Sequence, residues 1–111
     1  MTVFYEFESQ VLRQLVAPWL GTAAVETIER DAVLVSYEYT GCGYFLRVKH
    51  PSLSVKRIVY DKPMVVGHSG NIQSGFVVFI ENGELLLECH SWGEVEVPEN
   101  YRQQHVTVET I

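Results

Sequence analysis

The stretch from Gly75 to His90 sets two apolar runs on either side of Asn82-Gly83, a dipeptide suited to the two positive-φ positions of a type I′ turn. It predicts an antiparallel hairpin of fixed register. Glu81 faces Glu84, Ile80 faces Leu85, Phe79 faces Leu86, Val78 faces Leu87, Val77 faces Glu88 and Phe76 faces Cys89. Strand alternation then gives the hairpin two unlike faces. Phe76, Val78, Ile80, Leu85, Leu87 and Cys89 form a wholly apolar one, while Val77, Phe79, Leu86, Glu88 and His90 share the other. Burial is worth roughly 1.5–3 kcal/mol for each Leu, Ile, Val or Phe, which commits the first face to a core. The second face, where Glu88 and His90 interrupt the apolar run, is the place to look for function.

The rest of the chain supplies elements to cover and extend that hairpin. Phe7, Val11 and Leu15, with Phe4 on the same side, predict an amphipathic helix over residues 3–17, stopped by Pro18. Trp19 and Leu20 are expected to close it onto the core, and Gly21 to turn the chain. Residues 23–30 carry mixed signals; Thr27 and Ile28 are read as a first short strand against the helical preference of the alanines and glutamates. Val33–Tyr39 alternates strictly. With a turn at Gly41-Cys42, it pairs Tyr39 with Tyr44, Tyr37 with Leu46 and Val35 with Val48, leaving Glu38 diagonal to Arg47. Tyr37, Tyr39 and Tyr44 are expected to pack under the helix. Val55–Tyr60 and Met64–His68 are further strands, the strand after His90 runs towards Pro98, and His105–Glu109 closes the chain as an edge strand. The expected fold is α+β: one domain over residues 1–111, an N-terminal helix on an antiparallel sheet of about five to seven strands built from hairpins.

Charge narrows the partners. A formal net charge of −6 argues against general nucleic-acid binding, which needs clustered cations. Five of the eight basic residues, Arg47, Lys49, Lys56, Arg57 and Lys62, fall in one block, and Glu81, Glu84, Glu88, Glu94, Glu96 and Glu99 follow with no Lys or Arg between Pro63 and Tyr101. Two solvated faces lying side by side, or an acidic surface for a basic protein, both fit this segregation. No apolar run approaches the roughly 20 residues of a bilayer span, and Glu6 and Glu8 stand where a secretory signal would be basic. A cytoplasmic location without membrane association is expected. Cys42 and Cys89 show no CxxC spacing and are expected to be reduced thiols.

Chemistry-bearing residues are few. Glu88 and His90, two apart on one strand, point to the same side, and His68 could join them from a neighbouring strand. This is the one Glu/His cluster that could bind a small ligand or support hydrolysis. No metal-ligand spacing is present, and neither a metal nor a cofactor is expected. Cys89 and His90 alternate to opposite faces and cannot form a dyad with each other. The glycine pairs 41/43 and 67/70 match no phosphate-binding fingerprint. The leading expectation is a non-enzymatic protein-interaction domain, an inhibitor or immunity protein, whose acidic stretch Glu81–Glu99 meets a basic partner. Its candidate contact residues are Glu88, His90, His68, Glu81, Glu84, Glu94 and Glu96. A homodimer by edge-strand pairing, with His105–Glu109 as one such edge, is also expected to be open to this fold.

Tyr39-Thr40-Gly41-Cys42-Gly43-Tyr44-Phe45 and the hairpin from Gly75 to Cys89 together resemble a pair of signatures in short uncharacterised bacterial proteins. There a Thr-Gly-x-Gly-aromatic step precedes a glycine-led strand, a turn and a Leu-Glu step. The resemblance spans the middle half of the chain; it implies a small bacterial domain and transfers no catalytic residue.

Overall fold

A computed structural model describes residues 2–111. Its first element, α1 (Glu6–Leu15), follows from the i, i+4 spacing of Phe7, Val11 and Leu15, all buried together with Leu12. The Glu8 carboxylate accepts the Tyr5 backbone N–H at 2.8 Å, capping the helix start. A short α2 (Ala17–Leu20) carries Pro18 in its first turn, where a missing N–H costs nothing. Trp19, expected to close onto the core, is instead 69% exposed, lining a surface groove with Ile58, Val59 and Tyr60.

Residues 22–31 form a helix, α3 (Thr22–Asp31), and not the short strand expected from Thr27 and Ile28. Val25, Ile28 and Ala32 bury at helical spacing, while the Thr27 hydroxyl satisfies itself on the Ala23 carbonyl four residues back. Burial of one face overrode a weak local preference. Glu29, also on the buried side, accepts Arg13 Nη2 at 3.1 Å.

Seven strands follow: β1 (Val33–Tyr39), β2 (Gly43–Lys49), β3 (Ile58–Tyr60), β4 (Val65–Ser69), β5 (Ile72–Glu81), β6 (Glu84–Ser91) and β7 (Thr107–Thr110). They form one antiparallel sheet in the order β1-β2-β6-β5-β4-β7, with β3 sharing the far edge of β5 with β4. The central hairpin has the register set by Asn82-Gly83, from Glu81 opposite Glu84 to Phe76 opposite Cys89. Both turn residues have positive φ, 55° and 76°, as a type I′ turn requires. The β1–β2 hairpin pairs Tyr39 with Tyr44 and Tyr37 with Leu46, but a bulge between Leu34 and Ser36 places Leu34, not Val35, opposite Val48. On the turn side of the bulge the register is unshifted, with Ser36 opposite Arg47 and Glu38 opposite Phe45, so that Glu38 lies diagonal to Arg47. Continuous apolar character at Val33-Leu34-Val35 hid this bulge from a reading of alternation.

β6 ends at Ser91, so the expected continuation to Pro98 is not a strand. Residues 92–100 loop back instead, held where the Ser91 hydroxyl donates to the Cys42 carbonyl and accepts the Val97 N–H, burying Val97. A single 3-10 turn (Tyr101–Gln103) then leads to β7 at the sheet edge. The helices lie on one side of the sheet: α1 packs on β4, β5 and β7, over the inner residues Phe76, Val78, Ile80, Leu85, Leu87 and Cys89.

A polar clip closes this inner layer. Glu8 is fully buried, and its carboxylate takes two hydrogen bonds from Arg102, Nε to Oε2 and Nη2 to Oε1, each 2.9 Å, and one from the Tyr44 hydroxyl. The Arg102 guanidinium also donates to the Val3 carbonyl and lies over the Tyr5 ring, 4.2 Å from its centroid. Burial and the adjacent Glu8 carboxylate push the Tyr44 hydroxyl well above its ordinary pKa. Burial works against the charge of Arg102, and the Glu8 hydrogen bonds and charge outweigh it, raising its pKa. The clip joins residues 94 positions apart.

Candidate interaction surface

The outer face of the sheet has no covering layer. Register places its side chains in cross-strand rows. One row runs Glu38, Phe45, Glu88, Val77; the next runs Ser36, Arg47, Leu86, Phe79, Val59; a third contains Lys49, Glu84 and Glu81. Phe45, Val77, Phe79 and Leu86 are half-buried by one another and make an apolar centre. A groove of about 310 Å³ crosses that centre between Phe45, Leu86 and Phe79, rimmed by Arg47, Arg57 and Glu88.

Charges ring the groove unevenly. At the turn end, Arg47 Nη1 meets Glu84 Oε1 at 3.1 Å and Arg57 Nη1 meets Glu81 Oε1 at 3.7 Å, with Arg57 also 5.4 Å above the Phe79 ring centroid. The basic block and the start of the acidic stretch therefore neutralise each other. At the opposite end Glu38 and Glu88 flank Phe45, and neither has an ion-pair partner among the described residues. Glu94 and Glu96 are exposed on the loop after β6, outside the cross-strand rows of the outer face.

His90 sits beyond Glu88 on the same face, made possible by Gly75 opposite it. A Cβ at Gly75 would lie 2.4 Å from His90 Nε2 and 3.1 Å from Trp92 Cε3, so the missing side chain is the seat of both rings. His68 shares the outer face but pairs with Gln73, one strand further on, and its Nε2 contacts Glu109 at 3.3 Å. Glu88 and His90 thus stand together, while His68 is drawn to β7. Among the described residues no three His, Cys, Asp or Glu side chains are grouped to hold a metal ion. On the inner face Cys89 is buried, with its thiol pushed up by desolvation, which removes thiolate character; Cys42 is exposed in the β1–β2 turn.

Local pattern alone had divided the hairpin into these faces, but Phe45, Arg47 and Arg57 join the surface through pairings with β6 and β5 that no local motif announces. Fold and site together define an α+β domain whose antiparallel sheet is clothed by helices on one side and bare on the other. No family model matches the chain, and none of the curated proteins or solved structures compared with it is significantly similar. Among the described residues no helix is long and apolar enough to cross a membrane.

Proposed function

We propose that this chain is a non-enzymatic protein-interaction domain that holds a partner on the bare outer face of its sheet. The observation that carries this reading is the contiguous centre of Phe45, Val77, Phe79 and Leu86 left uncovered between charged ends. An apolar centre with a polar rim is the anatomy of a binding patch, in which aromatic anchors supply affinity and rim charges supply orientation. Because Arg47 and Arg57 are already matched by Glu84 and Glu81, the acidity left to offer on this face is that of Glu38 and Glu88. The partner is accordingly a protein with an apolar contact beside a basic patch. A domain that covers such a patch acts as an inhibitor or immunity protein, working by occlusion and not by chemistry.

The test compares immobilised wild type, Phe79→Glu and Val55→Glu in capture from an extract of the source organism. A partner retained by wild type and by Val55→Glu, released as salt rises and absent from Phe79→Glu is the expected result. Equal capture by all three, or none, would remove the outer face from consideration.

A further inference from the structure

Among the described residues two arginines lie over aromatic rings, and each is held there by a carboxylate. Arg102 stands 4.2 Å from the Tyr5 centroid and is bound edge-on by Glu8. Arg57 stands 5.4 Å from the Phe79 centroid, with Glu81 3.7 Å from its Nη1. The row Glu38, Phe45, Glu88 repeats this makeup, since register sets a carboxylate on each side of one ring. The cation is missing from it. Among the described residues no arginine or lysine covers the Phe45 ring, and no ion pair reaches Glu38 or Glu88. Arg47, diagonal to Glu38 in the next row, is engaged by Glu84 at 3.1 Å instead.

We infer that the Phe45 ring, between Glu38 and Glu88, is the seat of an arginine side chain supplied by the partner. Such a seat rests on the outer face being a protein-binding surface, and it names the partner residue that anchors there. Directly opposed side chains on neighbouring strands stand about 5 Å apart at Cβ, so the two glutamates rise about 10 Å apart with the ring between them. A guanidinium lying flat on that ring carries N–H donors on opposite edges and serves both carboxylates at once, whereas an ammonium is a single point of charge. Its weak hydration also suits the half-buried ring. Two unpaired like charges in one row repel, and a cation between them relieves that repulsion. A metal ion fits the row less well, because among the described residues no three His, Cys, Asp or Glu side chains are grouped to hold one. The groove of about 310 Å³ beside Phe45 gives the apolar stem of the arginine and its neighbours a place to lie against Leu86 and Phe79.

Acetylated and amidated tripeptides Leu-Arg-Leu, Leu-Lys-Leu and Leu-citrulline-Leu, titrated into the isotope-labelled protein and followed by amide NMR, test the seat. The arginine peptide is expected to shift the amides of Glu38, Phe45 and Glu88. It should bind about threefold tighter than the lysine peptide and about tenfold tighter than its uncharged citrulline isostere, as two exposed ion pairs allow. Glu38→Gln and Glu88→Gln should each weaken the arginine peptide about threefold and leave the citrulline peptide unaffected. Phe45→Leu, which keeps an apolar seat without the negative face of the ring, should cost a similar factor. Glu94→Gln, outside the rows, should bind all three like wild type. Equal binding of the three peptides, shifts centred elsewhere, or no shifts at all would each overturn the arginine seat. Capture separates that outcome from failure of the outer face. A partner retained by wild type, lost by Phe79→Glu and held undiminished by the Glu38→Gln, Glu88→Gln double variant would leave the binding surface standing and remove the seat; equal capture by wild type and Phe79→Glu would remove both.

Discussion

The two faces of the central hairpin are made by the same residues of sequence, taken alternately, yet they do opposite things. Leu85, Leu87 and Cys89 disappear under the helices with Phe76, Val78 and Ile80, and the Glu8–Arg102–Tyr44 clip on that side is tightly matched, with Glu29 Oε1 the one buried side-chain oxygen among the described residues left without a partner. Leu86 and Glu88, between them in the chain, look outwards with Val77 and Phe79, and the ion pairs on that side are half-exposed and loosely matched. Burial decides which polar contacts matter. Removing one partner of a buried pair strands a charge in low dielectric, whereas an exposed pair is screened and nearly dispensable.

The contrast can be broken first at the clip. Arg102→Ala should destabilise the fold by about 3–5 kcal/mol, because Glu8 would be left charged and buried, and urea denaturation would measure it. Arg102→Lys should recover only part, since a point charge cannot reproduce two parallel hydrogen bonds. A loss under 1 kcal/mol for the alanine variant would show the clip to be ornamental.

A smaller effect comes with pH. Burial raises the pKa of Cys89 and of Tyr44 in the folded chain, so above the unfolded values of about 8.5 and about 10 the unfolded chain loses protons that the folded chain keeps. Stability is then full below about pH 8.5 and falls as pH rises, by up to about 1.4 kcal/mol per pH unit for each group. Cys89→Ala should flatten the fall between about pH 8.5 and 10 while leaving the steeper loss above it, which melting curves across that range would reveal.

On the outer face the effects on stability should shrink and those on binding grow. Gly75→Ala pushes its new methyl into His90 and Trp92, which are side chains free to move outwards; a modest cost in melting temperature and a clear loss of partner capture are expected. Glu84→Gln, which removes the exposed pair with Arg47, should change stability by no more than about 1 kcal/mol and less still at high salt.

Most of the sheet was legible in the sequence because its signals are local. Asn82-Gly83 fixes the β5–β6 register, and Phe7, Val11 and Leu15 mark α1. What escaped was set by tertiary burial. Thr27 and Ile28 speak for a strand until Val25, Ile28 and Ala32 are seen to bury on one helical side. The apolar run Val33-Leu34-Val35 gives no sign of which residue bulges. Trp19 looked like a core residue because nothing near it in sequence reveals that α2 faces solvent. Of the outer surface, the β5 and β6 side chains followed from alternation, whereas Phe45 and Arg47 arrive from β2, and Arg57 from just before β3, by placements that depend on the whole topology. The Glu8–Arg102 clip, closing 94 residues, leaves no local trace.

The division of labour between the faces is tested most directly at Leu86 and Leu87, adjacent in β6 and opposite in orientation. Each would be changed to Ala and measured for both unfolding free energy and partner capture. Leu87→Ala should cost about 2–5 kcal/mol, as a buried leucine does, with capture by the remaining folded protein unchanged. Leu86→Ala should cost only about 1 kcal/mol for its partial burial and lose capture. Equal destabilisation by the two variants, or full capture by Leu86→Ala, would contradict a covered structural face and a bare binding face on one sheet.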